Sequence, residues 1–330
     1  MSIKAVLVSP ATQAANNGNW HTAQRWSQFL SQGLDHCDTA IMTEWPHTPA
    51  KPDADSKQAA DLMIALHARR SAASIAAWAS ACPAKPLILV LTGTDLYRDI
   101  QHDRLAQRSL ALATHIVVLQ EAGLAALPES YRAKTQVIYQ SAPRLKPAVK
   151  ATHRFVALMV GHLRDEKDPL TFMKAARCVA SSTLHFEQIG MALEPSFEQA
   201  ALETARLNPG YRWLGGLPRA ATRQRIKRAH VLVNGSKMEG GAHVILEAVQ
   251  SGTPVLASRI DGNVGMLGKH YPGYFELGHD AQLAKLVQRC ALEPDFLALL
   301  QSQCGQRAHW FEPALEKRLV LNLVTSALGP

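Results

Sequence analysis

The chain has little that would place it outside the cytoplasm, in a membrane or on a nucleic acid. Its five cysteines, Cys37, Cys82, Cys178, Cys290 and Cys304, are odd in number and widely spaced. No C-x-x-C pair occurs, so neither a disulfide framework nor a structural zinc site is expected. No apolar run approaches the roughly 20 residues of a membrane-spanning helix. The opening M-S-I-K-A-V-L-V-S-P reads as a strand, its apolar run being too short for a secretory signal. Aromatic residues make up only 6% of the sequence, and the net charge of +8 is shared evenly by the two halves. A nucleic-acid binder would gather that charge on one element with aromatics interleaved. An enzyme of phosphorylated small molecules suits the pattern better. Low-complexity segments and short-period repeats are missing as well. The expectation is a cytoplasmic protein with no nucleic-acid or membrane partner.

What is present is an ordinary globular mixture, 47% hydrophobic and 19% charged, in a 330-residue chain long enough for two domain cores. Short β-rich apolar runs alternate with stretches of helical period. The strand-like runs are Ile3–Ser9, Leu62–His67, Leu87–Thr92, Ile116–Leu119 and Gln136–Tyr139, then Phe155–Val160, Leu184–Ile189, Tyr211–Leu214, Val231–Asn234, Pro254–Ser258 and Gly273–Glu276. The clearest helices are Thr22–Leu34, Ser71–Ala81, Pro169–Ala180, Ala220–Arg228, Val244–Ser251 and Asp280–Glu293. Continuous apolar strands separated by helices predict parallel sheets covered on both faces. The series restarts near residue 150. There Ser141–Thr152 carries two prolines and no apolar periodicity, and reads as a linker. Two Rossmann-like domains are expected, 1–148 and 149–309, with a C-terminal helix at 310–330 that can cross back onto the first. A hinge is expected near 145–152.

The strongest signal is S-K-M-E-G-G-A-H-V-I-L-E-A-V-Q-S-G-T-P, residues 236–254. Glu239 and Glu247 stand eight apart, with Gly240 and Gly241 after the first and an apolar helix beginning beyond Ala242 and His243. Glycines let the backbone approach a ligand, and helix N-terminal amides attract phosphate. A diphosphate seated at Gly241–Val244 leaves Glu247 too deep to touch it, where it can accept the hydroxyls of a ribose. Taken singly, Glu247 reads more simply as a solvated helix carboxylate and Lys167 as a surface lysine. Taken with the loop V-G-H-L-R-D-E-K-D-P at 160–169, the segment resembles the E-x7-E motif and the G-R-L-x-x-x-K-G loop of the family-4 glycosyltransferases. The resemblance covers roughly the whole second half. It implies the GT-B architecture, an α/β fold of two Rossmann-like domains whose parallel sheets face across a cleft, with a nucleotide-sugar donor site in the second domain. In that family an arginine and a lysine of the loop grip the donor diphosphate. Lys167 falls on the lysine, His162 takes the arginine's place, and Arg164 stands nearby to replace it. Cations there would stabilise the charge that grows on the leaving diphosphate. The implied donor set is His162, Arg164, Lys167, Glu239, Gly240, Gly241, Ala242, His243 and Glu247, with Lys167 also catalytic.

In the first half, four features fall where strands end, the edge at which open α/β sheets bind ligands. The run Asn16-Asn17-Gly18-Asn19-Trp20 precedes a helix expected from Thr22, and Asn-Gly favours a positive φ that can turn successive amides into an anion nest. A-L-H-A-R-R-S brings His67, Arg69 and Arg70. L-T-G-T-D-L-Y-R-D brings Thr94, Asp95 and Arg98, and Y-Q-S brings Gln140 and Ser141. His67 reads equally as a hydrogen-bonded core histidine or as a catalytic one. Asp95 reads as a turn cap or a base, one of Arg69 and Arg70 as a solvated side chain, and Trp20 and Trp26 as packing. Together with the 160–169 loop, these motifs resemble the selenosugar synthases, a branch of the same family. That branch implies transfer of a hexose, of N-acetylglucosamine or glucose type, from a UDP-sugar to selenophosphate with formation of a C–Se bond. Such an acceptor is already anionic and needs positioning more than deprotonation. Arginine suits its phosphate-like oxygens. The acceptor set is Asn17, Gly18, Asn19, Arg25, Arg69, Arg70, Thr94 and Arg98, and His67 and Asp95 join Lys167 as catalytic candidates.

Asp53-Ala-Asp55 imitates a D-x-D metal motif, but its Pro/Ala-rich surroundings read as a solvated loop. No other cluster has ligand spacing, so no metal and no cofactor are expected. Two further enzymatic readings stay open: transfer to a hydroxyl acceptor, and a nucleotide-sugar epimerase of the same fold using His67 and Asp95 as acid and base. A non-enzymatic nucleotide-sugar sensor is a fourth.

Overall fold

Strands buried on both faces need apolar side chains on both, and the first sheet shows why its strands read as unbroken apolar runs. The computed structural model describes residues 2–12, 18–46, 60–179 and 181–329. Strands β1 (Ile3–Val8), β2 (Cys37–Met42), β3 (Leu62–Leu66), β4 (Leu87–Leu91), β5 (His115–Val118) and β6 (Thr135–Val137) form a parallel sheet in the order β2-β1-β3-β4-β5-β6. Alternate residues divide between its faces. Val6, Val8, Met63 and Leu89 pack against Ile75 and Trp78 of the helix Ala72–Ala81 and Leu110 of the helix Arg104–Leu112. Ala5, Leu7, Ile64 and Val90 pack against Trp26 and Leu30 of the helix Gly18–Gly33, and against Val320, Leu323 and Val324 of the helix Pro313–Leu328.

The last helix therefore belongs with the first sheet, and the first unit comprises Met1–Gln140 and Pro313–Pro330. A buried charge cluster sits in this seam. Arg25 forks Glu316 through Nε at 2.7 Å and Nη2 at 2.8 Å, and Trp26 Nε1 donates to Glu316 Oε1 at 2.8 Å. Glu316 is wholly buried. Two expectations need correction. The edge strand β2 is absent from the sequence reading because C-D-T-A-I-M is only half covered, with Cys37 alone fully buried, and carries no unbroken apolar run. The helix expected from Thr22 begins at Gly18, and Thr22 Oγ1 bonds back to Gly18 O at 2.8 Å.

The second unit, Ser141–Glu312, repeats the plan. Strands β7 (Phe155–Val160), β8 (Leu184–Ile189), β9 (Tyr211–Trp213), β10 (Val231–Asn234), β11 (Val255–Ser258) and β12 (Tyr274–Phe275) pair in parallel in the order β12-β11-β10-β7-β8-β9. From β7 the chain moves to one side and from β10 to the other, so a topological switch point lies between them. The segment expected as a hinge is bonded along this unit. Leu145 N donates to Gln250 O at 2.9 Å, Lys150 Nζ caps Lys227 O and Ala229 O at 2.8 and 2.6 Å, and His230 Nε2 meets Ala151 O at 2.9 Å. The division between units falls instead at Gln140 and Ser141. Among the described residues no helix is long and apolar enough to cross a membrane.

Candidate functional site

The switch point of the second sheet gathers most of the predicted donor residues. After β7 the chain makes a short 3-10 turn, Asp165–Lys167, and Asp168 then takes a left-handed conformation at φ 48° before Pro169 opens the next helix. Proline suits that first helical position because its φ is already helical and the missing N–H would have no partner. The turn aims Lys167 back over the sheet edge. Its Nζ meets Glu239 Oε1 at 2.6 Å.

Glu239 arrives from the loop after β10 and is buried. Ser236 Oγ also lies 2.6 Å from Glu239 Oε1 and 2.7 Å from Asn234 Oδ1, so its single proton serves one of them at a time. This loop needs a neighbour without a side chain. A Cβ at Gly262 would stand 2.0 Å from Glu239 O. Likewise a Cβ at Gly190, which lies at φ 150°, would stand 1.9 Å from Gly161 O, so the loop after β8 can close on the loop after β7 only with glycine there.

His162 sits between those loops, half-buried. Its Nδ1 accepts from Met191 N at 3.2 Å, which leaves the ring proton on Nε2. Burial, reinforced by Arg164 and Lys167, lowers its pKa, so the imidazole is neutral near pH 7 and offers a donor rather than a charge. Arg164 lies 3.8 Å from Glu166 and is half-buried.

Gly240, Gly241 and Ala242 lead into the helix His243–Val249, with His243 as its first residue. Ala242 supplies no capping side chain there. Glu247 is buried one turn further on. It faces two residues that the sequence reading did not assign, Arg219 and Arg223 of the helix Arg219–Arg228. Arg219 reaches Glu247 Oε1 with Nε at 3.4 Å and Nη2 at 3.3 Å, and Arg223 Nε lies at 3.9 Å. These separations exceed the 2.7–2.9 Å of a strong charged hydrogen bond. Burial lowers the Arg223 pKa, while Glu247 opposes that shift. A pair of arginines at i and i+4 on a helix was the available signal; its partner 28 residues on was not. Asp53 and Asp55 lie outside the described residues. Among the described residues no group of three histidine, cysteine or acidic side chains is placed to hold a metal ion.

In the first unit the switch point lies between β1 and β3, and His67 follows β3. It is buried at φ 72°, an uncommon conformation for a residue with a side chain. Its Nδ1 accepts from Arg70 N at 3.3 Å, so Nε2 carries the proton and donates to Thr94 Oγ1 at 3.0 Å. Burial lowers its pKa against the pull of Asp95 and Asp99. Asp95 opens a π-helical turn, Asp95–Asp99, and is completely buried. Its oxygens accept from the backbone amides of Ala68, Thr92 and Gly93 at 2.8–2.9 Å. It is a clamp for two strand-end loops, with three of its acceptor sites taken by backbone amides.

Most of the predicted acceptor arginines have protein partners. Arg25 is held by Glu316, Arg69 Nε by Asp103 at 2.6 Å, and Arg98 Nε by Asp99 at 3.0 Å. Arg25 is thereby corrected from an acceptor ligand to a packing tie between two helices. Arg70 is exposed and Thr94 half-buried beside His67. Gly18 and Asn19 form the first turn of a helix, and Asn17 lies outside the described residues.

Comparison with known proteins gives the family and the fold. The family described as Glycosyl transferases group 1 matches residues 144–308, half of the chain. A curated relative, glycosyltransferase 1 domain-containing protein 1 of Xenopus tropicalis, is 28% identical over 181 residues, 53% of this chain and 52% of the relative. The match thus spans about half the length of that protein. Among solved structures, Anabaena HepE in complex with UDP and glucose superposes with a TM-score of 0.74 at 16% identity, covering 98% of this chain and all of that one. Sucrose-phosphate synthase from Thermosynechococcus elongatus superposes with a TM-score of 0.76 at 16% identity, covering 98% of each chain. At that identity the likeness is one of fold, the GT-B fold of two Rossmann-like domains.

Proposed function

The chain belongs to the glycosyl transferases group 1 family, and on that premise we propose that it transfers a hexose from a UDP-sugar to selenophosphate without the help of a metal ion. The observation that carries the donor half is Lys167 pinned against Glu239 at the switch point, with a second buried acid, Glu247, eight residues on. Glu239 takes one hydrogen of the ammonium and fixes its position; the other two remain for diphosphate oxygens. As the bond from the anomeric carbon to the UDP oxygen breaks, its electron pair moves onto the diphosphate, where Lys167 and the Nε2–H of His162 meet it. Glu247 accepts the ribose hydroxyls, which replace the long contacts from Arg219. The complex of Anabaena HepE with UDP supports a uridine nucleotide as the carrier.

The acceptor half rests on the likeness of the loops around His67, Thr94 and His162 to selenosugar synthases. The selenium lone pair attacks the anomeric carbon and no proton has to leave first, so the reaction needs a cationic surface more than a base. Arg70 and Thr94 are the acceptor candidates with the fewest protein ties. A hydroxyl acceptor is the second reading. It is favoured by the neutral His67 imidazole at the strand end, with Nε2 3.9 Å from Asp99; to act as a base it would take up the proton at Nδ1 once the Arg70 N–H, now 3.3 Å away, releases that lone pair.

The deciding experiment incubates the protein with UDP-N-acetylglucosamine or UDP-glucose, with and without selenophosphate, in the presence of a chelator, and follows products by mass spectrometry. UDP together with a selenium-bearing sugar is the expected result. UDP release only with a hydroxyl acceptor would move the assignment to the second reading, and loss of turnover on chelation would end metal independence.

A further inference from the structure

The residue just past the helix that carries Glu247 bonds segments near both ends of the second unit. This residue, Gln250, accepts from Leu145 N at 2.9 Å and donates from its side chain to Ala308 O at 2.7 Å. Ala142 N donates to Phe311 O at 3.2 Å, tying the outgoing segment to the returning one. Arg223 makes a further tie. Its Nη2 donates to Pro143 O at 2.5 Å while its Nε faces Glu247 at 3.9 Å, and its side chain is only 15% exposed. One desolvated cation is therefore shared between the acid assigned to the ribose and a carbonyl at the start of the second unit.

We propose that Arg223 is a positioning residue that couples donor occupancy at Glu247 to the crossing segment 141–145. The proposal rests on the donor reading of Glu247. Ribose hydroxyls that donate to Glu247 satisfy part of its charge and weaken its pull on the guanidinium. A buried cation left underpaired is costly, so it leans harder on its remaining acceptor, Pro143 O. Donor binding thus tightens the crossing. By linkage, a tighter crossing favours the donor by the same factor.

The test is hydrogen exchange of the full chain with and without saturating UDP, read at the Ala142 and Leu145 amides, alongside UDP calorimetry. In the wild type UDP slows exchange at both amides by about tenfold, a coupling of ordinary size. In Arg223→Gln the UDP-dependent slowing disappears and UDP affinity falls by no more than that factor, whereas Arg223→Lys restores part of it. Unchanged wild-type exchange with UDP bound overturns the coupling alone and needs no variant to fold. Slowing in Arg223→Gln equal to that in the wild type overturns it too. Absence of UDP binding to the wild type overturns the donor reading and the coupling with it.

Discussion

The two units place charged residues at the carboxyl ends of their central strands, yet they employ them in opposite ways. In the second, acids meet cations brought by other loops and helices: Lys167 with Glu239, and Arg219 and Arg223 with Glu247. Both arginine contacts to Glu247 are longer than a strong charged hydrogen bond, and in the proposed donor complex they give way to the ligand. In the first, Asp95 is spent on backbone amides and Arg25 on a buried carboxylate. The contrast teaches that charge at a strand end marks a site only where its partners can be displaced. In the first unit the groups closest to that condition are His67, Thr94 and Arg70.

The largest effect should come from breaking the fixed pair. Arg25→Ala leaves Glu316 buried without its cation and should cost about 3–5 kcal/mol of stability, read by urea unfolding with tryptophan fluorescence. Intact stability with a raised acceptor KM would return Arg25 to the acceptor site and erase the contrast. Next in size, Lys167→Ala should lower kcat/KM for the UDP-sugar by about 10²–10³, or ~3–4 kcal/mol, measured where the variant is folded because the buried Glu239 also loses its cation. A variant as active as wild type would leave the second unit's pair as structural as the first's.

A smaller effect is expected from pH. Burial keeps His67 neutral, so its folded pKa lies below the ordinary histidine value. As the pH falls through about 6.5, the unfolded chain takes up a proton that the folded one refuses, and stability declines. His67→Asn should therefore lose less Tm than wild type on acidification from pH 7.5 to 5.5; an equal loss would assign the acid sensitivity to His115, His162 and His230, which burial also depresses. The smallest effect belongs to Arg69→Ala. Its pair with Asp103 is solvated, so melting should not change measurably, and a shift in acceptor KM would sharpen the comparison by showing one displaceable arginine in the first unit.

Much of this was readable in the chain itself, for a physical reason. Strands such as β3, β4 and β10 are buried on both faces and carry no polar interruption, so their apolar runs stand out. Edge strand β2 is half solvated and does not. Glu239 and Glu247 are legible because their spacing is local to one loop and helix. Arg223 is not, because its part depends on how its helix lies against another and against Pro143, 80 residues away. Arg25 misleads for the same reason: its carboxylate partner is 291 residues distant, and nothing near it in sequence announces a neighbour.

Because the helix Pro313–Leu328 covers one face of the first sheet, synthesis cannot complete the unit it begins with until the rest of the chain has been made. A nascent first unit would leave Trp26, Leu30 and the Arg25 guanidinium without their lid while the second unit, a single uninterrupted stretch, closes on its own. The order of maturation is thereby reversed relative to the order of translation: what is made first is finished last.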